Sequence, residues 1–152
     1  MRSTSIFVAV LAALLAAPAA ARAQASPREG VVQLLQDAAK EATENGYRSA
    51  SRVFDTRSLV GMLPRGGTVV VEANLRAGVR YTVVGVCDTD CVDLDLRVHA
   101  PDGDEVLDED VSTDDVPVLT FTATRDGPHP VAVIMAECRA DLCYFAVRVL
   151  SR

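Results

Sequence analysis

The chain has no tryptophan, one lysine and two histidines, and its other aromatic side chains are three tyrosines and four phenylalanines. Sugar-binding sandwiches stack sugar faces on flat aromatic platforms, so this scarcity argues against a carbohydrate site of that kind. No serine lies in a G-x-S-x-G elbow and no H-E-x-x-H helix is present, which removes two familiar hydrolase signatures. His99 and His129 fall in or beside expected strand ends and read as structural. Carboxylate pairs such as Asp93 and Asp95 are present, but glycosidase-type chemistry also needs a cleft to hold them. A carboxylate-based hydrolase is therefore the weakest alternative, and the chain reads as non-catalytic.

Positive charge is also scarce. Fifteen Lys and Arg face twenty-one Asp and Glu, for a formal net charge of −6. That balance excludes nucleic acid and anionic membrane surfaces as natural partners, because neither attracts an acidic protein. Fourteen of the basic residues are arginine. With abundant Ala, Val, Asp and Gly, this is a composition typical of bacteria with GC-rich genomes.

Long apolar runs are absent except at the start. Ile6 to Ala17 is uninterrupted but holds only twelve residues, against the roughly 20 that span a bilayer. Arg2 precedes it, Pro18 ends it, and Ala21-Arg22-Ala23 and Ala23-Gln24-Ala25 follow as two A-x-A cleavage signals. Residues 1–25 thus read as a cleavable signal peptide, and the protein as secreted or periplasmic, with no membrane span. Arg2 and Arg22 lie in the leader, so its loss takes the formal charge from −6 to −8. The remainder is long enough for one hydrophobic core and too short for two ordinary domains.

Four cysteines are present, all beyond the leader: Cys87, Cys91, Cys138 and Cys143. An even count in a small exported domain reads as two disulfides. A four-thiolate zinc site is the rival, but structural zinc favours C-x2-C knuckles, and here the spacings are C-x3-C and C-x4-C. Each pair flanks a short loop between expected strands, which sets the two residues side by side and favours the local bridges 87–91 and 138–143. A long cross-link such as 87–138 is the alternative. If the two loop tips share one end of the fold, the staples make a rigid rim there, where sandwiches usually bind.

The rest of the chain divides by period. Apolar residues at 31, 32, 34, 35, 38, 39 and 42 lie on one helical face, and Gly46 is a suitable stop. Residues 26–58 therefore read as an N-terminal helix and linker, the linker holding a short strand at Arg52–Phe54. The domain proper occupies 59–152. Strands are expected at Thr68–Leu75, Val79–Cys87, Cys91–His99, Glu105–Asp108, Val118–Ala123, Val131–Cys138 and Cys143–Leu150. Turns at Pro101–Asp104 and Asp126–Pro128 punctuate them. In Cys91–His99, Val92, Leu94, Leu96 and Val98 are expected on one face, with Asp93, Asp95, Arg97 and His99 on the other. Seven or eight strands without helical crossovers mean an all-β, antiparallel, jelly-roll-like β-sandwich.

Leu63 to Gly78 (LPRGGTVVVEANLRAG), Tyr81-Thr-Val, Asp93-Leu-Asp-Leu-Arg-Val, Pro101-Asp-Gly103 and Phe121 to Gly127 (FTATRDG) carry a resemblance. In this order they resemble the bacterial pre-peptidase C-terminal domain, over about 90 residues from Leu63 to Leu150. After Gly127 that family has an aromatic where this chain reads Pro128-His129-Pro130, and the two cysteine pairs resemble a subset of stand-alone exported members. The resemblance implies a β-sandwich of jelly-roll type acting as a binding or helper module, with protein or extracellular polysaccharide as partner. It also implies Ca²⁺ binding in some members. Calcium takes six to eight oxygens converging from loops, and Asp88, Asp90, Asp93 and Asp95 are the candidate ligands. The expected function is thus a non-catalytic interaction or surface-attachment module. The alternative is a Ca²⁺-dependent polysaccharide or matrix binder using the acidic loops.

Overall fold

The computed structural model describes residues 26–50 and 58–152. The leader and the strand expected at Arg52–Phe54 lie outside the described residues. Along the chain come α1 (Pro27–Glu44), β1 (Arg48–Ser49), β2 (Leu59–Leu63), β3 (Gly67–Leu75) and β4 (Arg80–Cys87). Then follow β5 (Cys91–His99), β6 (Val106–Asp110), β7 (Val118–Thr122), β8 (Gly127–Cys138) and β9 (Cys143–Ser151).

The strands form two antiparallel sheets, as the period-two pattern requires. In the five-stranded sheet β9 is central, flanked by β4 on one edge and by β1 and β2 on the other, with β7 outside β4. The four-stranded sheet runs β3-β8-β5-β6. Between them lies one core that includes Leu94, Leu96, Val98, Val133, Met135, Leu119, Phe145 and Val147, all buried. The all-β sandwich expected from the sequence is the fold observed.

The helix is longer at its start than its apolar period. Ser26 and Glu29 form a capping box, Ser26 Oγ accepting from the Glu29 amide and Glu29 Oε2 from the Ser26 amide, with Pro27 in the first turn. At the other end Gly46 adopts φ +88°, and the amides of Gly46 and Tyr47 donate to the carbonyls of Thr43 and Ala42. This paired closure satisfies the last carbonyls and sets Tyr47 against Ala42. Val31, Leu35 and Ala39 are buried on Val84, Val86, Ala146 and Leu150, so α1 docks on the outer face of the five-stranded sheet of its own chain. Burying Val31 and Leu35 contributes about 1.5–3 kcal/mol each, which is what an 18-residue helix of modest intrinsic stability needs. Leu34, on the expected apolar face, sits at its flank and is 45% exposed.

Two local differences have physical causes. The pairing of β5 with β8 shifts between Cys91 and Leu94, so Val92 is half-buried and Cys91 joins the core in its place. Strand β8 starts at Gly127 rather than Val131 and runs through Pro128 and Pro130. The ladder to β5 ends at Val98–Val131, so these prolines pair with β3 alone and sit at an edge, where a missing N–H is tolerated. His129, between them, faces inward and is fully buried, with Nδ1 3.0 Å from the Gly127 carbonyl oxygen.

Candidate functional site

The cysteines form the local bridges Cys87–Cys91 and Cys138–Cys143, with Cα separations of 5.8 and 6.0 Å. Cys91 is the cross-strand partner of Cys138, and Cys87 that of Phe145. Both stapled tips therefore share one end of the sandwich, and backbone bonds join them. The Arg139 amide donates to the Asp90 carbonyl at 2.8 Å. Asp88 bonds Tyr144 twice, its amide donating to the Tyr144 carbonyl at 3.0 Å and its Oδ2 accepting from the Tyr144 amide at 2.8 Å. The β2–β3 turn closes the same end, with the Gly66 amide on the Met135 carbonyl and Arg65 paired to Glu137 at 2.7 Å. The result is a rim in which all four sulfurs are buried while Thr89, Asp90 and Asp141 are exposed and Leu142 is 49% exposed.

The N-terminus of α1 lies beside this rim. An open groove of about 670 Å³ runs between them, lined by Ser26, Glu29, Leu34, Asp88, Thr89 and Asp90 among others. The bond from the Ser26 backbone holds the Glu29 carboxyl below its usual range, and Asp88 is engaged by Tyr144. A general acid at this groove would have to stay protonated near neutrality, and Glu29 is shifted the opposite way.

The four candidate calcium ligands are divided between two places. Asp88 and Asp90 belong to the rim, where their backbone and carboxylate atoms tie the loops together. Asp93 and Asp95 lie on β5, Asp93 at the register shift with its Oδ1 buried and without a hydrogen-bond partner. Burial pushes the Asp95 carboxyl up, and the nearby charge of Asp93 adds to the effect. Among the described residues no three His, Cys, Asp or Glu side chains form a group that could hold a metal ion.

The acidic run from Asp102 to Asp115 does something composition did not reveal. β6 and β7 are edge strands of different sheets, and carboxylates close the side between them. Asp108 and Asp110 are cross-strand partners of the inward residues Val98 and Leu96. Asp108 Oδ2 accepts from the Thr120 amide at 2.7 Å, and Asp110 Oδ2 from the Val118 amide at 2.9 Å. Their other oxygens accept from Glu109 and Ser112. The crossover after β6 continues the closure, taking the Leu94 amide on Asp114, Cys87 on Asp115 and Gly85 on Pro117. Inward-pointing acids thus occupy amides that an open sheet edge would present to another chain. At the end opposite the rim, Arg125 pairs with Asp102, and Asp126 accepts from the Ala77 amide. The parity of Asp108 and Asp110 relative to the apolar residues of β5 was the available signal. It could not be read until the register between β5 and β6 was known.

Among the described residues no helix is long and apolar enough to cross a membrane. No family model and no curated protein matches the chain. Among solved structures the fold is similar to that of Aeromonas hydrophila PliG, a periplasmic lysozyme inhibitor of g-type lysozyme. The identity is 16% and the TM-score 0.49, over 71% of this chain and 90% of that one.

Proposed function

We propose that this protein is an exported, non-catalytic interaction module, bacterial in origin, that binds another protein through its disulfide-stapled rim. The observation that carries the reading is the junction of the two stapled tips, Cys91 opposite Cys138 and Arg139 bonded to Asp90. A pre-organised surface loses little entropy on binding, and this one presents Leu142 as an apolar contact amid polar residues. The resemblance to the pre-peptidase C-terminal domain, itself a proposal, favours the same class of function. The scarcity of aromatic side chains favours a protein over a polysaccharide partner.

A photo-crosslinking side chain placed at Thr89 or Leu142, and at Thr124 on the opposite end as control, tests this in the exporting host. Adducts to one defined protein from both rim positions, and not from Thr124, are expected. Adducts of equal yield from both ends, or none from the rim, reject the assignment. Melting with and without millimolar Ca²⁺ tests the alternative, and an unchanged midpoint removes it.

A further inference from the structure

The sheet edges are not defended alike. Strands β6 and β7 seal each other through Asp108 and Asp110, and β1 and β2 are only two and five residues long. Strand β3 has nine residues, without proline, lysine or arginine and with Glu72 as its single charge. All of them pair with β8 without a register shift, so no bulge twists this edge away. Among the described residues β3 pairs with β8 alone, and no other backbone bond engages residues 68–75. Near its centre Val70 is 59% exposed, more than any other large apolar side chain described. On the inward face Val69 and Val71 pack on the core yet stay half-buried. Thr68 to Val71 is a β-branched run, the kind of segment that takes up a further strand when its edge is free.

We infer that β3 is a self-pairing edge, at which two copies of this chain join antiparallel about a two-fold axis beside Val70. Pairing about Val70 sets this residue against its own copy on the outer face, and Thr68 against Glu72 on either side. On the inner face it sets Val69 against Val71 twice, which covers the half-buried flank of the core. No like charges meet. Centring on Val71 instead would oppose Glu72 to Val70. Ala132, the cross-strand partner of Val70 on β8, continues the outer apolar row in both copies. The acidic residues of 102–115 lie on the far side of the sheet, along β6 and its flanking turns, so most of that charge is held away from the seam. A strand from an unrelated protein would need its own match to this register, whereas a second copy brings one. Symmetry also ends growth. The joined sheet runs β6-β5-β8-β3 and back through the second copy, so both its outer edges are β6, already sealed against β7. The β2–β3 turn lies at the rim, so antiparallel pairing points the two rims in opposite directions and leaves both open. The dimer edge is thus independent of what the rim binds.

The test is sedimentation equilibrium of protein purified from the exporting host, from low micromolar to submillimolar concentration. Wild type should reach a dimer and no larger species. Val70→Lys and Val70→Glu, both at an exposed position, should keep the wild-type circular dichroism spectrum. Each alone should weaken dimerisation by at least about tenfold, because two like charges then meet at the axis. Mixing the two variants should restore a dimer made of one copy of each, since opposite charges now face one another. Amide exchange within residues 68–74 should slow as the wild-type dimer forms. A wild type that stays monomeric, a dimer that either variant leaves unchanged, or a mixture that associates no better than its components overturns the inference. So does growth beyond two copies. A monomer whose β3 amides are already protected overturns it too, since another part of the same chain then covers the edge.

Discussion

Replacing Asp110 probes the carboxylate closure between the two sheets. Its two oxygens accept from the amides of Val118 and Ser112 at 2.9 and 3.2 Å. Hydrogen bonds to a charged group contribute about 1.5–3 kcal/mol each when well sheltered. Asp110 is only half-buried, so the low end applies and the longer bond counts for little. Asp110→Ala should then cost about 2 kcal/mol, a fall in Tm of roughly 6–8 °C for a chain of this length. Asp110→Asn should cost about half as much, because its one oxygen can accept from a single amide and its NH2 faces the other. The pH dependence has a definite sign. Burial pushes the Asp110 carboxyl up, but the bonds from Val118 and Ser112 outweigh it and leave the group below its ordinary value of 3.8. Its contribution is complete above the unfolded value and lost as pH falls through the lower folded one. Urea denaturation of wild type and both variants at pH 7 and pH 2.5 measures this, with amide exchange at Val118 and Thr120 locating the opening. Variants within 0.5 kcal/mol of wild type at pH 7, or deficits just as large at pH 2.5, would refute the carboxylate account.

Three other outcomes are expected. Gly61 faces Phe145 across the β2–β9 pair, and a Cβ there would lie 2.7 Å from the ring; Gly61→Ala should lower stability by about 1–3 kcal/mol in a thermal melt. Replacing Cys87 and Cys91 together by Ser opens a small loop worth about 2 kcal/mol. The variant should keep the β-type circular dichroism spectrum and lose most rim crosslinking. Arg125 holds the Asp102 carboxyl below its usual range by a direct bond, so Arg125→Ala should raise the Asp102 titration midpoint in carboxyl-detected NMR.

The sandwich was legible because side-chain period and turn chemistry are local. The alternation Leu94, Leu96, Val98 and the Pro101–Asp104 turn carry their meaning without partners. The disulfide pairs were legible for the same reason, since each flanks one short loop. Other features needed the assembled sheets. Strand β2 reads as unremarkable sequence because LVGML is short, holds a glycine and has no apolar–polar alternation, and pairing with β9 is what makes it a strand. His129 shares parity with Val131 and Val133, a signal overridden by the prolines on either side. The acidic residues looked alike in sequence, yet Asp88 locks a loop and Asp110 closes an edge. Only tertiary register separates those roles.

The central position of β9 has a consequence for biosynthesis. β1, β2 and β4 all pair with this last strand, and α1 rests partly on it. Until the ribosome has released Cys143–Ser151, one whole layer of the protein has no spine and the helix no seat. The five-stranded layer can therefore close only after every other strand has been made, whereas the β3-β8-β5-β6 layer pairs without Cys143–Ser151.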